Sequence, residues 1–146
     1  MRIQVQADPF DPGTELNTFP QSADGVGAVV SFTGVVRDDT GTLRHMEIEH
    51  YPGMTERAIM SIAEEAQTRW ALIAVLIIHR HGRLLPQEPI MMVATAAAHR
   101  KAAFEAADFL MDYLKSRAPF WKKEVSENGE TCVAAKEEDE TALTRW

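Results

Sequence analysis

The sequence predicts an α+β fold: a single domain over residues 1–146 that combines a mostly antiparallel sheet with two main helices. Five or more short runs rich in β-branched residues are separated by turns that contain Pro and Gly, as the strands of a sheet are. Two longer stretches instead repeat apolar residues at helical spacing. No linker, repeat or low-complexity segment divides the 146 residues, and 45% hydrophobic composition is enough for one core.

The N-terminal third of the chain predicts three strands. Residues 3–6 form a short strand, and the stretch ADPFDPGTE at 7–15 follows it as a loop. GVGAVVSFTGVVR at 25–37 is rich in Val and predicts a mostly buried strand. HMEIEHY at 45–51 alternates apolar Met46 and Ile48 with charged Glu47 and Glu49, which is typical of a half-exposed strand. We expect these last two strands to pair as neighbours.

The middle of the chain predicts a helix followed by two strands. Apolar residues recur at helical spacing over residues 55–70, and Thr55 can serve as the N-cap of this helix. AVLIIHRHG at 74–82 and IMMVATAAA at 90–98 are apolar runs of strand length, joined by a loop that contains proline.

The second helix is expected over residues 99–117. Pro119 disfavours helical backbone at the residue before it, so the helix must end there. Residues 121–135 then predict a hairpin, with Asn128-Gly129 as the turn signal.

Composition excludes several classes of protein. The formal net charge of -7 argues against a general nucleic-acid or anionic-membrane binder, which needs a basic face. No run of eighteen apolar residues and no secretory h-region are present, so a cytoplasmic protein is expected. The single Cys132 can form neither an internal disulfide nor a CxxC metal or redox pair.

Positive charge nevertheless gathers in one part of the chain. Residues 99–123 hold six Lys/Arg against three Asp/Glu, whereas the remainder holds nine against nineteen. The stretch KSRAPFWKKE at 115–124 concentrates four of these cations around a Phe-Trp pair. A local basic patch in an acidic protein fits a small anion better than a polynucleotide.

Two groups of basic residues in this pattern, one at a helix start and one on a strand, suggest a site that binds an anion. His99 and Arg100 stand at the expected start of a helix, where free backbone N–H groups and the dipole favour an anion. Lys122 and Lys123 alternate on the expected strand, so one faces inward; an inward lysine beside Phe120 has a pKa lowered by desolvation. Such a lysine can transfer protons, although a non-catalytic module that holds a phosphorylated metabolite would use the same cations.

Two other features leave alternatives open. His79 and His81 lie two residues apart and would face one side of a strand, but two histidines are half of a metal site. One interpretation is therefore a metal-dependent hydrolase built on these two histidines. The other is that they have no metal role, with one hydrogen-bonded at the strand end and the other exposed to solvent. Arg37 ends the 25–37 strand and could grip a phosphate in a bidentate way, or could simply be a surface residue.

Six segments taken together carry a resemblance to a known family. FTGVVRD, EHYPGM, HRHGRL, AAHRKAAFEAADFLMDYLK, APFWKKE and the closing RW occur in this order from about residue 25 to 146. They resemble the catalytic large subunit of molybdopterin synthase. The resemblance implies an α+β fold of the hammerhead type and a sulfurtransferase of molybdenum cofactor biosynthesis.

The same resemblance implies a substrate and partners. The family converts a cyclic pyranopterin monophosphate precursor to molybdopterin and needs no cofactor or metal of its own. Its sulfur arrives as a thiocarboxylate on the C-terminal Gly-Gly of a small ubiquitin-like subunit. A homodimer of large subunits forms the centre of a heterotetramer, with one small subunit on each.

Residue by residue, the resemblance assigns a site. Lys115 and Lys122 match the catalytic lysines; the other matching substrate-binding positions are Arg37, His99, Arg100, Lys123 and Glu124. Val35 stands where a lysine is familiar, and His81 where an apolar residue is. Arg100 and Lys115 are fifteen residues apart on one expected helix, roughly 22 Å. We therefore expect a composite site, with His99 and Arg100 supplied by the second subunit of the dimer.

Overall fold

A computed structural model describes residues 1–20, 23–133 and 137–146. The strands are β1 Arg2–Gln6, β2 Ala28–Val35, β3 Leu43–His50, β4 Ala74–Arg80, β5 Gly82–Leu84, β6 Pro89–Ala97, β7 Phe120–Ser126 and β8 Gly129–Val133. The helices are α1 Pro12–Thr18, α2 Met54–Trp70, α3 Arg100–Ser116 and α4 Glu137–Ala142, with a closing 3-10 turn at Leu143–Arg145. None of the helices in the described part of the chain has the length and apolar character needed to cross a membrane.

The strands form two four-stranded sheets, in the orders β1-β4-β6-β2 and β5-β3-β7-β8. Among the described residues, every pairing is antiparallel except that of β1 with β4. The expected α+β class with mostly antiparallel strands is confirmed. The expected pairing of β2 with β3 is wrong, because β2 pairs with β6 and β3 with β7. A hydrophobic pattern fixes which face of a strand is buried but does not choose its neighbour.

Two N-terminal expectations need correction. The 7–15 stretch is not only a loop, since α1 begins at Pro12 and Asp11 caps it by accepting a hydrogen bond from the Gly13 N–H at 3.0 Å. Pro at the first helical position is a helix-start signal that the loop assignment overlooked. Strand β2 is an edge strand with exposed Phe32 and Val35, so it is less buried than its Val content suggests.

Helix α2 begins one residue earlier than expected. Gly53 occupies the N-cap position, and its N–H donates to the Glu56 carboxylate at 2.6 Å. Thr55 is not the cap; it is buried and donates its hydroxyl hydrogen to the Tyr51 carbonyl at 2.9 Å. The helix ends at Trp70, as the apolar pattern predicted.

Helix α3 matches its expected bounds, with His99 as N-cap and Arg117 as C-cap. Its buried face is rich in alanine, which lets the helix pack closely against β6 and β2. The buried Thr95 hydroxyl on β6 donates to the Ala103 carbonyl at 2.8 Å and ties the helix to the sheet. The sheet therefore holds α3 firmly and sets the position of the helix's last turn.

The C-terminal part contains the expected hairpin and an unexpected anchor. Ser126 pairs with Gly129, so the connecting residues are Glu127 and Asn128, one position before the expected turn pair. Ala134 and Ala135, expected to extend the second strand, lie outside the described residues. After α4, the chain closes on α3 through Arg145 and Trp146, for which no expectation existed.

Candidate active site

A cleft of about 190 Å³ lies where the last turn of α3 meets β7, β4 and the edge strand β2. Its walls combine two lysines with apolar and aromatic side chains and one carboxylate. The lining residues are Phe32, Gly34, Val35, His79, Ile90, Met91, Met111, Leu114, Lys115, Ala118, Phe120, Trp121, Lys122, Val133 and Asp139. The fold thus brings both lysines that were expected to be catalytic into one cleft.

Lys122 reaches the cleft because of the alternation of β7. Phe120 and Lys122 lie on one face of the strand and Lys123 on the other. Burial, followed by the positive charge of Lys115, lowers the pKa of Lys122 to about 8, while the charge of Asp139 opposes both effects. Lys122 therefore titrates within the range in which enzymes work.

Lys115 enters the same cleft from the last turn of α3, where it is exposed. A cation there complements the negative end of the helix. Its charge acts on Lys122 across the cleft, so the two ammonium groups lie close enough to repel each other. A bound anion would relieve this repulsion.

Lys123 and Glu124 occupy the same strand but lie outside the set that lines the cleft. The Lys123 ammonium contacts the carboxylates of Glu47 at 3.1 Å and Glu130 at 3.5 Å, and these contacts raise its pKa. Glu124 pairs in register with Thr131. The structure gives Lys123 ion-pair partners on the opposite face of β7.

The remaining expected site residues lie elsewhere in the chain. His99 and Arg100 line a shallow concavity at the N-terminus of α3, the opposite end from Lys115. Arg37 is exposed beyond β2, with its Nε 2.9 Å from the Asp39 carboxylate. Such exposed ion pairs contribute little stability, so this guanidinium can exchange partners readily.

The two histidines of HRHG have separate environments. His79 is 4% exposed, and its Nδ1 lies 2.8 Å from the Arg80 carbonyl oxygen. His81 instead contacts the ring of His50, with centroids 4.5 Å apart. Over residues 1–20, 23–133 and 137–146, no group of three or more His, Cys, Asp or Glu side chains is placed to hold a metal ion.

Sequence reasoning missed several residues of the cleft. His79 was weighed only as a metal ligand or a packed histidine, and Asp139 was not considered. Phe32 and Met111 come from β2 and α3, and only the packing of these elements shows that they share a wall. The position of His79 next to the end of a buried strand was the one available signal.

The fold and this cleft define an α+β protein with two lysines in one candidate active site. Comparison with known proteins gives its family. Residues 5–117 match the family described as MoaE protein, and the chain belongs to that family. It is 70% identical over 146 residues to the molybdopterin synthase catalytic subunit of Cereibacter sphaeroides, and the match covers 100% of both chains.

Solved structures agree with the family assignment. A molybdopterin biosynthesis MoaE protein from Burkholderia ambifaria superimposes with a TM-score of 0.84 at 50% identity, covering 99% of this chain and 97% of the other. A molybdopterin synthase from Staphylococcus aureus gives 0.81 at 29% identity, covering 90% and 96%. The resemblance carried by the six sequence segments is confirmed.

Proposed function

We propose that this chain, acting as a single domain in the cytoplasm, is the catalytic subunit of a molybdopterin synthase. It converts the cyclic pyranopterin monophosphate precursor to molybdopterin, with sulfur from the C-terminal thiocarboxylate of a small ubiquitin-like subunit. The observation that carries this proposal is the meeting of Lys115 and Lys122 in one cleft. The 70% identity to a named molybdopterin synthase catalytic subunit over the full chain supports it.

The two lysines suit the chemistry of this sulfur transfer. The thiocarboxylate sulfur forms a bond to a side-chain carbon of the pterin while the bond from that carbon to its oxygen substituent breaks, so negative charge develops on the departing oxygen. Ammonium groups aimed at that charge stabilise the transition state, typically by ~3 kcal/mol each. Lys122, with its pKa of about 8, can also exchange a proton during the step. Water then cleaves the bond between the sulfur and the tail's carbonyl carbon, which leaves the sulfur on the pterin and the partner's tail as a carboxylate.

The rim of the cleft fits a partner protein. Phe32, Val35 and Trp121 line the cleft and are 43%, 48% and 43% exposed. Exposed apolar side chains gathered at one opening are typical of an interaction site. The partner's Gly-Gly tail, lacking side chains, can pass this rim in extended form and reach Lys115. The sulfur donor then comes from the partner, and Cys132 needs no role.

The cleft also favours a site completed by a second subunit. Its volume of about 190 Å³ is below the roughly 300–1,000 Å³ usual for small-molecule sites. His99 and Arg100 lie at the far end of α3, where a two-fold axis can bring them to the twin's cleft. In this arrangement Arg37 contacts the substrate from the same subunit as Lys115. Lys123 and Glu124, which the resemblance also assigned to the site, lie outside the cleft lining and are not given a substrate contact. Each heterotetramer would hold a homodimer of this chain and two small subunits.

Reconstitution tests the proposal directly. The purified chain is mixed with the thiocarboxylated small subunit and the cyclic precursor, and the dithiolene product is measured. Product formation at the expected stoichiometry of two sulfurs supports the assignment. Binding of the precursor without any product would instead indicate the rival function, a non-catalytic module for a phosphorylated metabolite.

A further inference from the structure

His79 occupies a position in the cleft that the proposed reaction does not yet use. It is the next-to-last residue of β4, a strand whose seven residues are all buried. Its ring stacks on that of Phe120 with a centroid distance of 3.7 Å and an interplanar angle of 14°. Phe120 is two residues before Lys122 on β7, so the stack sets the imidazole beside the face that carries this lysine.

The hydrogen bond of His79 fixes its tautomer. Nδ1 lies 2.8 Å from the carbonyl oxygen of Arg80, and a carbonyl oxygen can only accept, so Nδ1 carries the hydrogen. Burial, followed by the charges of Lys122 and Lys115, lowers the pKa of His79 to about 3. The ring is therefore neutral at working pH, and Nε2 presents an unprotonated lone pair.

Nε2 borders the open space of the cleft. Within the described residues the only hydrogen bond of the His79 side chain is the one from Nδ1. Nε2 is also absent from the fully buried unpartnered side-chain atoms of that part of the chain, which are His45 Nδ1 and Ser116 Oγ. Because His79 lines the cleft, its free acceptor is available there.

The groups that face this acceptor are mostly donors. Lys122 of β7, Lys115 of α3 and Asp139 of α4 line the same cleft as His79. The charges of Lys122, Lys115 and His50 of β3 act on the imidazole. An ammonium group removed from water loses hydrogen-bond acceptors and needs replacements. Burial is the largest cause of the altered Lys122 ionisation, so Lys122 has the greater need.

We propose that His79 is a positioning residue: its Nε2, unpaired among the described residues, accepts a hydrogen bond from the Lys122 ammonium when that side chain turns towards it, and so aims the ammonium into the cleft. A carboxylate in this place would form an ion pair with the lysine, raise its pKa strongly and compete with the anionic substrate. A neutral imidazole orients the ammonium and leaves its charge available. The hydrogen bond itself does not depend on the proposed sulfur transfer, but its catalytic consequence rests on that function.

Two substitutions separate an acceptor role from simple packing. His79→Phe keeps a ring that can stack on Phe120 but removes the acceptor. His79→Gln loses the stack but can place an amide oxygen near the position of Nε2. The Lys122 side chain is titrated by NMR in the full chain with ¹⁵N-labelled lysine, and Lys122→Arg identifies its signal.

We expect the Lys122 pKa to fall by about one unit in His79→Phe, since a bond to the charged form is lost. His79→Gln should return it to within a few tenths of a unit of the wild type. His81→Phe is the matched control, because it alters the other histidine of HRHG, which lies outside the cleft lining, and should leave the Lys122 pKa unchanged. An unchanged Lys122 pKa in folded His79→Phe overturns the proposal.

A measurement that keeps His79 in place covers the case in which the His79 variants do not fold. Imidazole ¹⁵N shifts report which ring nitrogen of His79 carries the hydrogen. Hydrogen on Nδ1, together with a change in the Nε2 shift in Lys122→Met, is the expected result. Hydrogen on Nε2, or an Nε2 shift that ignores the loss of Lys122, contradicts the proposal.

Activity then shows the consequence for catalysis. In the reconstituted reaction His79→Phe should lower kcat about tenfold with little change in KM, and His79→Gln should recover most of kcat. Failure of the reconstituted wild type would count against the proposed function alone, because the NMR titration needs no substrate. Equal kcat in wild type and His79→Phe would count against the catalytic consequence.

Discussion

The imidazole of His79 lies nearly parallel to the ring of Phe120, with centroids 3.7 Å apart, and so joins a central strand of one sheet to a strand of the other. This contact forms part of the cleft and sets β7 against β4. Lys122, two residues along β7, then lies near Lys115 of α3. The sheets do not share a ladder, so side-chain packing determines the geometry of the two lysines.

Lys115→Ala should remove most turnover while the fold persists. The side chain is exposed at the rim and makes no contribution to the buried face of α3. Loss of about 3 kcal/mol of transition-state stabilisation corresponds to a fall in kcat on the order of 100-fold. The rate is measured with a thiocarboxylated partner, and circular dichroism checks the fold. Wild-type turnover in this variant would contradict the catalytic assignment.

The rate of the reconstituted reaction should fall as the pH rises through about 8. Lys122 loses its proton near that pH, and the ammonium is the form that stabilises negative charge. Lys122→Arg keeps a charge at every accessible pH and should flatten this limb, even if the maximal rate is lower. The control is Lys123→Arg, on the opposite face of β7, which should retain the wild-type profile.

Asp139→Asn should lower the pKa of Lys122 below its value of about 8. The Asp139 carboxylate is the group that opposes burial and the charge of Lys115. Without it the ammonium form is less stable, and the alkaline limb of the rate profile moves to lower pH. Glu138→Gln removes a neighbouring, exposed charge on α4 and serves as the control. Equal Lys122 titration in both variants would show that Asp139 has no influence on the cleft.

Mixed dimers test whether the site takes residues from two subunits. Subunits carrying Lys115→Ala are combined with subunits carrying Arg100→Ala, each expected to be inactive alone. If the twin supplies Arg100, one pocket receives both lesions and the other none, and up to about half of the activity per mixed dimer returns. If each pocket is built within one chain, every pocket keeps one lesion and mixing restores nothing.

His79 should make the fold sensitive to moderate acid. Its pKa is about 3 in the folded chain against 6.5 ordinarily, so between these values the unfolded chain binds a proton that the folded chain does not. Stability therefore falls as the pH drops from 6.5 towards 3, by about 2 kcal/mol at pH 5.

His79→Phe tests this linkage. Urea unfolding at pH 7 and pH 5 should give a smaller difference in free energy for the variant than for the wild type. Carboxylates with lowered pKa values, such as Glu88, contribute at lower pH and are common to both proteins. An identical loss of stability in the two proteins would mean that the imidazole is not held neutral.

The sequence by itself determined the features that depend on local periodicity. The apolar repeat and Pro119 gave the bounds of α3, which runs over Arg100–Ser116 as expected to within one residue at each end. The period of two along β7 is enough to put Lys122 and Lys123 on opposite faces of the strand. The fifteen-residue spacing placed Arg100 and Lys115 at opposite ends of one helix, where the structure has them.

Tertiary structure alone decided what depends on contacts between distant segments. Burial patterns did not reveal that β2 and β3 belong to different sheets, because each strand can satisfy its pattern beside several neighbours. The cleft position of His79 requires Phe120 to pack across from the other sheet, and that of Asp139 requires Arg145 and Trp146 to anchor on α3. Local spacing predicts which way a side chain points from its own backbone, and only the packing of the chain determines what it meets there.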